Sequence, residues 1–291
     1  QAGSAPPCRL LRRAMPSAPA AGGAQEAGGG AVKQAVMAAI EAAVAEAEAE
    51  APAVMPEPAE AAAPGPLPAP APVLEALAAE EESPAERQLA EDLERLRGEL
   101  GPAVRVCILG GIVIQGADSE ELVKAIARGL DASLGEDALF LTGGMPGIQK
   151  AFARHCGDGS RLWNLLPVGQ DSKYGVGRDV HAGTGLQQSK DAYGQLGDIY
   201  ISVEGGPSVS MEARAIAARG AVILPLVRTG WASSGMFNFP PEAFERPAFA
   251  TEEQWSLLSR TDAPVEDAAG AVVALVAAAA AASRSGAPAA A

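Results

Sequence analysis

The sequence predicts an α/β fold: a doubly wound, mainly parallel sheet with helices on both faces, preceded by a low-complexity tail. Three observations predict it. From Val104 onward, short and continuously apolar β-branched runs alternate with segments of helical period, the pattern of strands buried on both faces and joined by crossover helices. Three of these runs stop at a glycine pair, where a strand would turn into a helix. The three Trp, three Tyr and six Phe all lie beyond residue 100, so the first hundred residues, rich in Ala, Pro, Glu and Gly, lack the means to build a core.

Residues 1–100 therefore read as a mostly disordered tail with isolated helices, 101–285 as one domain, and 286–291 as a disordered end, with the boundary near Gly101-Pro102. In the tail, residues 31–51 hold strong helix formers with a thin apolar face, and APGPLPAPAP (63–72) reads as a polyproline-like spacer. Ser83-Pro84-Ala85-Glu86 matches a capping box with Pro at the first helical position. Leu89, Leu93, Leu96 and Leu100 follow it, which predicts a helix that packs on the domain or on a partner.

In the domain, VRVCIL (104–109) is the first strand. Residues 118–134 are a helix, because Leu122, Ile126, Leu130 and Leu134 recur every four residues. ALFLT (138–142) is the second strand, followed by a helix over GIQKAFARH (147–155). LWNLLP (162–167) is the third strand, and a long polar loop leads from it to the helix LQQSKDAYGQL (186–196). DIYISV (198–203) is the fourth strand, PSVSMEARAIAARG (207–220) a helix and AVILPL (221–226) the fifth strand. Two helices close the chain, one entered through the cap-like Thr251-Glu252-Glu253-Gln254.

The formal charge of −14 is uneven, since the first hundred residues hold 16 acidic and 7 basic side chains. No basic stripe exists to neutralise a nucleic-acid backbone, and the acidic excess argues against anionic membrane surfaces, so neither partner is expected. Cys8, Cys107 and Cys156 are widely spaced and odd in number, which gives no disulfide framework and no metal site. His155-Cys156 reads as a helix-end pair. The apolar run Gly270–Ala282 is too short and too rich in Ala to span a bilayer and reads as the final helix. Residues 1–25 carry Arg9, Arg12 and Arg13 before the first acid at Glu26. They read as a transit-peptide remnant, a truncated start or an ordinary Ala/Pro tail, and the expected location is cytoplasm or organelle rather than secretion.

The glycine pairs share one predicted rim, because parallel strands end on the same edge. They are Gly110-Gly111 after the first strand, Gly143-Gly144 with Gly147 after the second, and Gly205-Gly206 followed by Pro207 and Ser208 after the fourth. One such pair is most simply a tight turn; three on one rim favour a phosphate or nucleotide site, where backbone amides at a helix N-terminus face an anion. The fingerprints of a P-loop, a dinucleotide dehydrogenase, an α/β-hydrolase and a zinc protease are all absent.

LTGGMPGIQKAF, then QQSKDAYGQLGDIYISVEGGPSVSME and AVILPL, resemble the LONELY GUY family of Rossmann-like, lysine-decarboxylase-like nucleotide-processing proteins, over about Val104–Leu226. The resemblance implies a Rossmann-like fold, a homodimer, no cofactor, and a nucleoside monophosphate or related phosphorylated ligand. The implied reaction is hydrolysis of the N-glycosidic bond to free base and ribose 5-phosphate. In that family a P-G-G-x-G-T-x-x-E motif binds phosphate and supplies a catalytic Glu, and an R-K pair on the preceding helix supplies an Arg. Gly205, Gly206 and Glu212 match the glycines and the Glu, and Lys190 matches the Lys. Glu204, Ser208 and Val209 stand where the family has Pro, Gly and Thr, and Ser189 stands where it has the Arg.

The catalytic candidates are thus Glu212 and Lys190. Glu212 would stabilise the sugar cation or orient water, although an acid near a helix N-terminus also has a purely electrostatic reading. Ser189 cannot supply a guanidinium's bidentate grip, and Lys190, Lys173, Arg178 and Arg214 are the cations that could compensate. Glu204 is expected to bring a negative charge to the cradle's mouth. His181, Asp198, Trp163 and Trp231 have structural readings that compete with functional ones. A non-catalytic sensor of a nucleotide ligand is the alternative to the enzyme.

Overall fold

The structure, a computed structural model, describes residues 83–285. The expectations for the tail before Ser83 and for 286–291 lie outside the described residues. Helix α1 (Pro84–Leu100) begins with the expected capping box: the Ser83 hydroxyl accepts the Glu86 amide at 3.2 Å, and the Glu86 carboxylate accepts the Ser83 amide at 2.8 Å. Then follow β1 (Val104–Gly110), α2 (Ser119–Ser133), β2 (Ala138–Thr142), α3 (Ile148–Ala153), β3 (Leu162–Leu166), β4 (Arg178–His181), α4 (Leu186–Leu196), β5 (Ile199–Val203), α5 (Pro207–Ala218) and β6 (Val222–Pro225). Three 3-10 turns lead to α6 (Glu252–Leu257), capped by Thr251, and to α7 (Val265–Ser285).

The six strands form one sheet in the order β4-β3-β2-β1-β5-β6, with every neighbouring pair parallel. This is the Rossmann-like α/β architecture that the sequence predicts, with one strand more than expected. The extra strand, β4, lies inside the polar segment read as a loop, and pairs with β3 from Trp163↔Arg178 to Leu166↔His181. It is four residues long and only Val180 is buried, so it carries no apolar run. An edge strand has one neighbour and needs only one inward side chain. Its Arg178 guanidinium stacks 4.5 Å from the Trp163 ring.

Alternation along the strands divides the core into two. In β1, Val106 and Ile108 join one cluster, with Leu122, Ile126 and Leu130 of α2 and Val272, Leu275 and Val276 of α7. Cys107 and Leu109 join the other, with Leu93, Leu96 and Leu100 of α1, Tyr193 of α4 and Ile216 of α5. That alternation is the period of two expected of a strand covered on both faces. Helix α1 is also tied to the β4 edge, where Asp92 accepts the Gly183 amide at 2.9 Å and Arg95 donates to the His181 carbonyl at 2.6 Å. By length and composition the helix Val265–Arg284 could cross a membrane, but its apolar stripe packs against α2 and the sheet.

Between β1 and β5 the chain order reverses: β1 to β4 run outward on one side, and β5 and β6 on the other. Connections leave β1 on one side and β5 on the other, which opens a crevice above the strand ends.

Candidate functional site

A cavity of about 300 Å³ occupies that crevice. Its floor is Gly110, which ends β1, with Gly111 and Ile112 after it and Gly143 from the turn after β2. One wall is α4, which presents Ser189, Lys190 and Tyr193. The other is the start of α5, with Gly206, Ser208, Val209 and Glu212. Ser208 and Glu212 are four residues apart and so lie on one helix face.

Lys190, Ser208 and Glu212 form a closed trio. The Lys190 ammonium lies 3.0 Å from the Glu212 carboxylate and donates to the Ser208 hydroxyl at 2.5 Å, and that hydroxyl donates to Glu212 at 3.1 Å. The Lys190 and Glu212 side chains are 22% and 15% exposed. The trio also borders a second cavity of about 550 Å³, lined by Glu86 and Leu89 of α1 and by the outer faces of α4 and α5. It is therefore the partition between two open spaces.

Helix α5 starts at Gly206 in extended conformation, with Pro207 at its first position. The Val209 and Ser210 amides turn back to the Gly206 carbonyl, while the Gly206 and Ser208 amides have no acceptor among the described residues. Those residues and the Lys190 ammonium, which is shared with the Glu212 carboxylate, lie together in the cavity lining, and a helix N-terminus with such donors suits an anion.

The turn after β2 is built differently. The Gln149 carbonyl oxygen accepts the Gly143 amide at 2.8 Å and the Met145 amide at 3.1 Å, and the Gly144 amide reaches the Thr142 hydroxyl at 3.3 Å. Its amides are already satisfied inside the protein. Of the glycines singled out in the sequence, Gly110, Gly111, Gly143 and Gly206 line the cavity, and Gly144, Gly147 and Gly205 do not. Gly147 has φ +76°, and a Cβ there would collide with the Gly111 carbonyl. Gly205 has φ +96°, and a Cβ there would lie 2.7 Å from the Val209 Cβ. Both hold backbone geometry that an L side chain resists.

Glu204 corrects an expectation. Its carboxylate is not at the cavity mouth: it is fully buried and accepts the Gln115 amide at 2.9 Å and the Gly116 amide at 2.6 Å. Its backbone has φ +54°, and is held by the Thr229 hydroxyl on its amide and the Ser233 amide and hydroxyl on its carbonyl. Glu204 thus ties the loop after β1 to the end of β5.

The other candidates take structural places. Ser189 is 4% exposed and lines the cavity where the resemblance calls for Arg. Among the described residues no arginine lines it: Arg178 pairs with Glu99 and Arg214 donates to the carbonyls of Phe237 and Asn238. Lys173, with φ +55° in the segment before β4, is also outside the lining. His181 bonds the Gln170 carbonyl at 2.8 Å, and Asp198 grips Arg105 through three bonds of 2.8 to 2.9 Å. Trp163 is in the core, and Trp231, in the second 3-10 turn (Trp231–Ser234), is not part of the lining. His155 bonds the Ala151 carbonyl, and Cys156 is buried.

The sequence reading missed Tyr193 and Gln149. The Tyr193 hydroxyl donates to the Ile108 and Leu141 carbonyls, and burial pushes its pKa well above the ordinary value. It joins the walls and stays protonated. Burial likewise pushes Cys107 and Cys156 up to about 12, so neither is a thiolate nucleophile at neutral pH. The one sequence sign of Gln149 is an amide side chain placed just inside a glycine turn.

No family model and no curated protein matches the chain. Among solved structures it is similar to the X-ray structure of TM1055, at 18% identity and TM-score 0.38, over 45% of this chain and 78% of that one. The molybdenum cofactor carrier protein of Chlamydomonas reinhardtii is similar at 16% identity and TM-score 0.38, over 60% and 99%. DNA processing protein A of Helicobacter pylori, described as binding single-stranded DNA, is similar at 14% identity and TM-score 0.36, over 43% and 65%. At these identities the likeness concerns the fold and says nothing of ligand or reaction.

Proposed function

We propose that the cavity binds a nucleoside 5'-monophosphate or a related phosphorylated ligand, and that the protein hydrolyses its N-glycosidic bond to free base and ribose 5-phosphate. The observation that carries this reading is the convergence of the α5 N-terminus, Lys190, Ser208 and Glu212 on one cavity at the topological switch point. The phosphate takes the Gly206 and Ser208 amides and the Lys190 ammonium. Glu212, released from part of its pairing as Lys190 turns to the phosphate, faces the developing cation at the anomeric carbon or orients the attacking water. The bond from that carbon to the base breaks, water adds its oxygen to the carbon, and the base leaves with a proton.

A second reading is favoured by a specific observation. Ser189 occupies the Arg position and no arginine lines the cavity among the described residues, which suits a non-catalytic nucleotide-binding module. Incubation with AMP and isopentenyl-AMP separates the two. The enzyme reading expects free base and ribose 5-phosphate from the wild type and at least a hundredfold less from Glu212→Gln. Ligand binding without product at high protein concentration would leave the binding module alone.

A further inference from the structure

Gln149 has one end of its side-chain amide occupied and the other open. Its oxygen accepts two backbone amides, Gly143 and Met145, and this fixes the orientation: two N–H donors converge on one atom, and only the carbonyl oxygen of the pair accepts. The residue is 5% exposed. Its Nε2 has no acceptor among the described residues, and yet is not a sealed, unsatisfied atom, because the only buried side-chain nitrogen or oxygen without a partner there is Nη1 of Arg228. The open space that Gln149 lines is the cavity. A buried amide that lines a cavity and whose nitrogen has no acceptor among the described residues is held ready for an acceptor that the protein itself does not supply.

The place of that donor sets what it meets. Gln149 stands on α3, after β2, whereas the anion end of the cavity is at the start of α5, after β5. Strand β1 lies between β2 and β5. Two inter-strand spacings put the two ends about 10 Å apart, too far for one phosphate to touch both. We infer that Gln149 is a ligand-binding residue whose Nε2 donates to an uncharged acceptor on the nucleoside part of a ligand whose phosphate sits at the start of α5. The inference rests on the nucleotide reading above and adds to it the group that recognises the end remote from the phosphate.

The test is calorimetric titration of the full chain and two variants with AMP and, separately, inorganic phosphate. Gln149→Glu keeps an oxygen for the Gly143 and Met145 amides and replaces the cavity donor by a charged acceptor. Gln149→Met removes both groups. AMP affinity is expected to fall about tenfold or more in both variants, whereas phosphate affinity stays within about twofold in the uncharged Gln149→Met, the variant on which the comparison of AMP with phosphate rests, because the charge of Gln149→Glu about 10 Å away weakens anion binding by itself. Thermal melting distinguishes the clamp from the donor, since Gln149→Glu keeps the wild-type midpoint and Gln149→Met lowers it. Unchanged AMP binding in Gln149→Glu would overturn the inference and leave the nucleotide reading intact. Equal loss of AMP and phosphate in Gln149→Met would overturn it too, by reducing Gln149 to a brace for the glycine turn. A wild type that binds phosphate but not AMP, or neither, overturns both.

Discussion

Gly205 and Gly206 are neighbours with different tasks. Gly205 has φ +96° and no room for a Cβ beside Val209, whereas Gly206 is extended and a Cβ there would meet nothing within 4 Å. Gly205→Ala is therefore expected to cost about 1–3 kcal/mol in urea unfolding and Gly206→Ala well under 1 kcal/mol. Arg105 and Asp198 join the starts of β1 and β5 through a two-pronged guanidinium contact and a backbone bond, with side chains 21% and 29% exposed. The Asp198 hydrogen bonds raise the Arg105 pKa against the opposing effect of burial. Asp198→Ala is expected to lose about 1–3 kcal/mol by the same measurement. Burial of Asp179 disfavours its charge, but the Ser172 amide, the Asn164 side chain and the Ser172 hydroxyl outweigh that and hold its pKa below the ordinary value. A depressed folded-state pKa contributes stability above the unfolded value of about 3.9 and loses it as pH falls through the folded one. Unfolding free energy measured from about pH 5 to pH 3 should thus decline more steeply in the wild type than in Asp179→Asn. At this scale the places of Glu212 and Lys190 in the cavity lining were legible through the family resemblance, whose motifs these two residues match. Gln149 and Glu204 were not, because the direction of a side chain within a turn is set by amides that only the folded backbone brings near.

Helix α1 shows how far periodicity reaches. The leucines from Leu89 to Leu100 predict a helix with one apolar face, and the capping box predicts where it starts; both are observed. What the pattern leaves open is the surface that receives the face. In the fold it joins the cluster of α4 and α5 beneath the site, with Leu96 fully buried. Leu96→Ala is expected to cost about 2–4 kcal/mol in chemical denaturation, with AMP affinity in the remaining folded protein within about twofold. Strand β4 is the opposite case. Its polar residues give no strand signal, and it exists because the β3 edge offers a row of backbone partners and because Asn164 binds Asp179 and the Val176 carbonyl. Local pattern wrote the buried strands; a tertiary edge wrote this one.

Across the molecule, the parallel order and the reversal beside β1 set where the cavity opens; the parallel pairing follows from strands alternating with helices in the sequence, and the strand order is seen only in the fold. The net charge of −14 is spread over a chain whose cavity nonetheless gathers a lysine, two open amides and a hydroxyl. The donors proposed to hold an anion are thus local and do not depend on the overall field. The homodimer implied by the resemblance is a further expectation, checked by light scattering of the full chain. The central proposal is that the cavity takes a phosphorylated nucleotide at the start of α5. Its most direct test is titration of AMP into the wild type and Lys190→Met, which removes the ammonium and keeps the stem. Saturable one-site binding by the wild type and a loss of about tenfold or more in the variant are expected; no binding by the wild type, or equal affinity in the two, would contradict a phosphate site at Lys190.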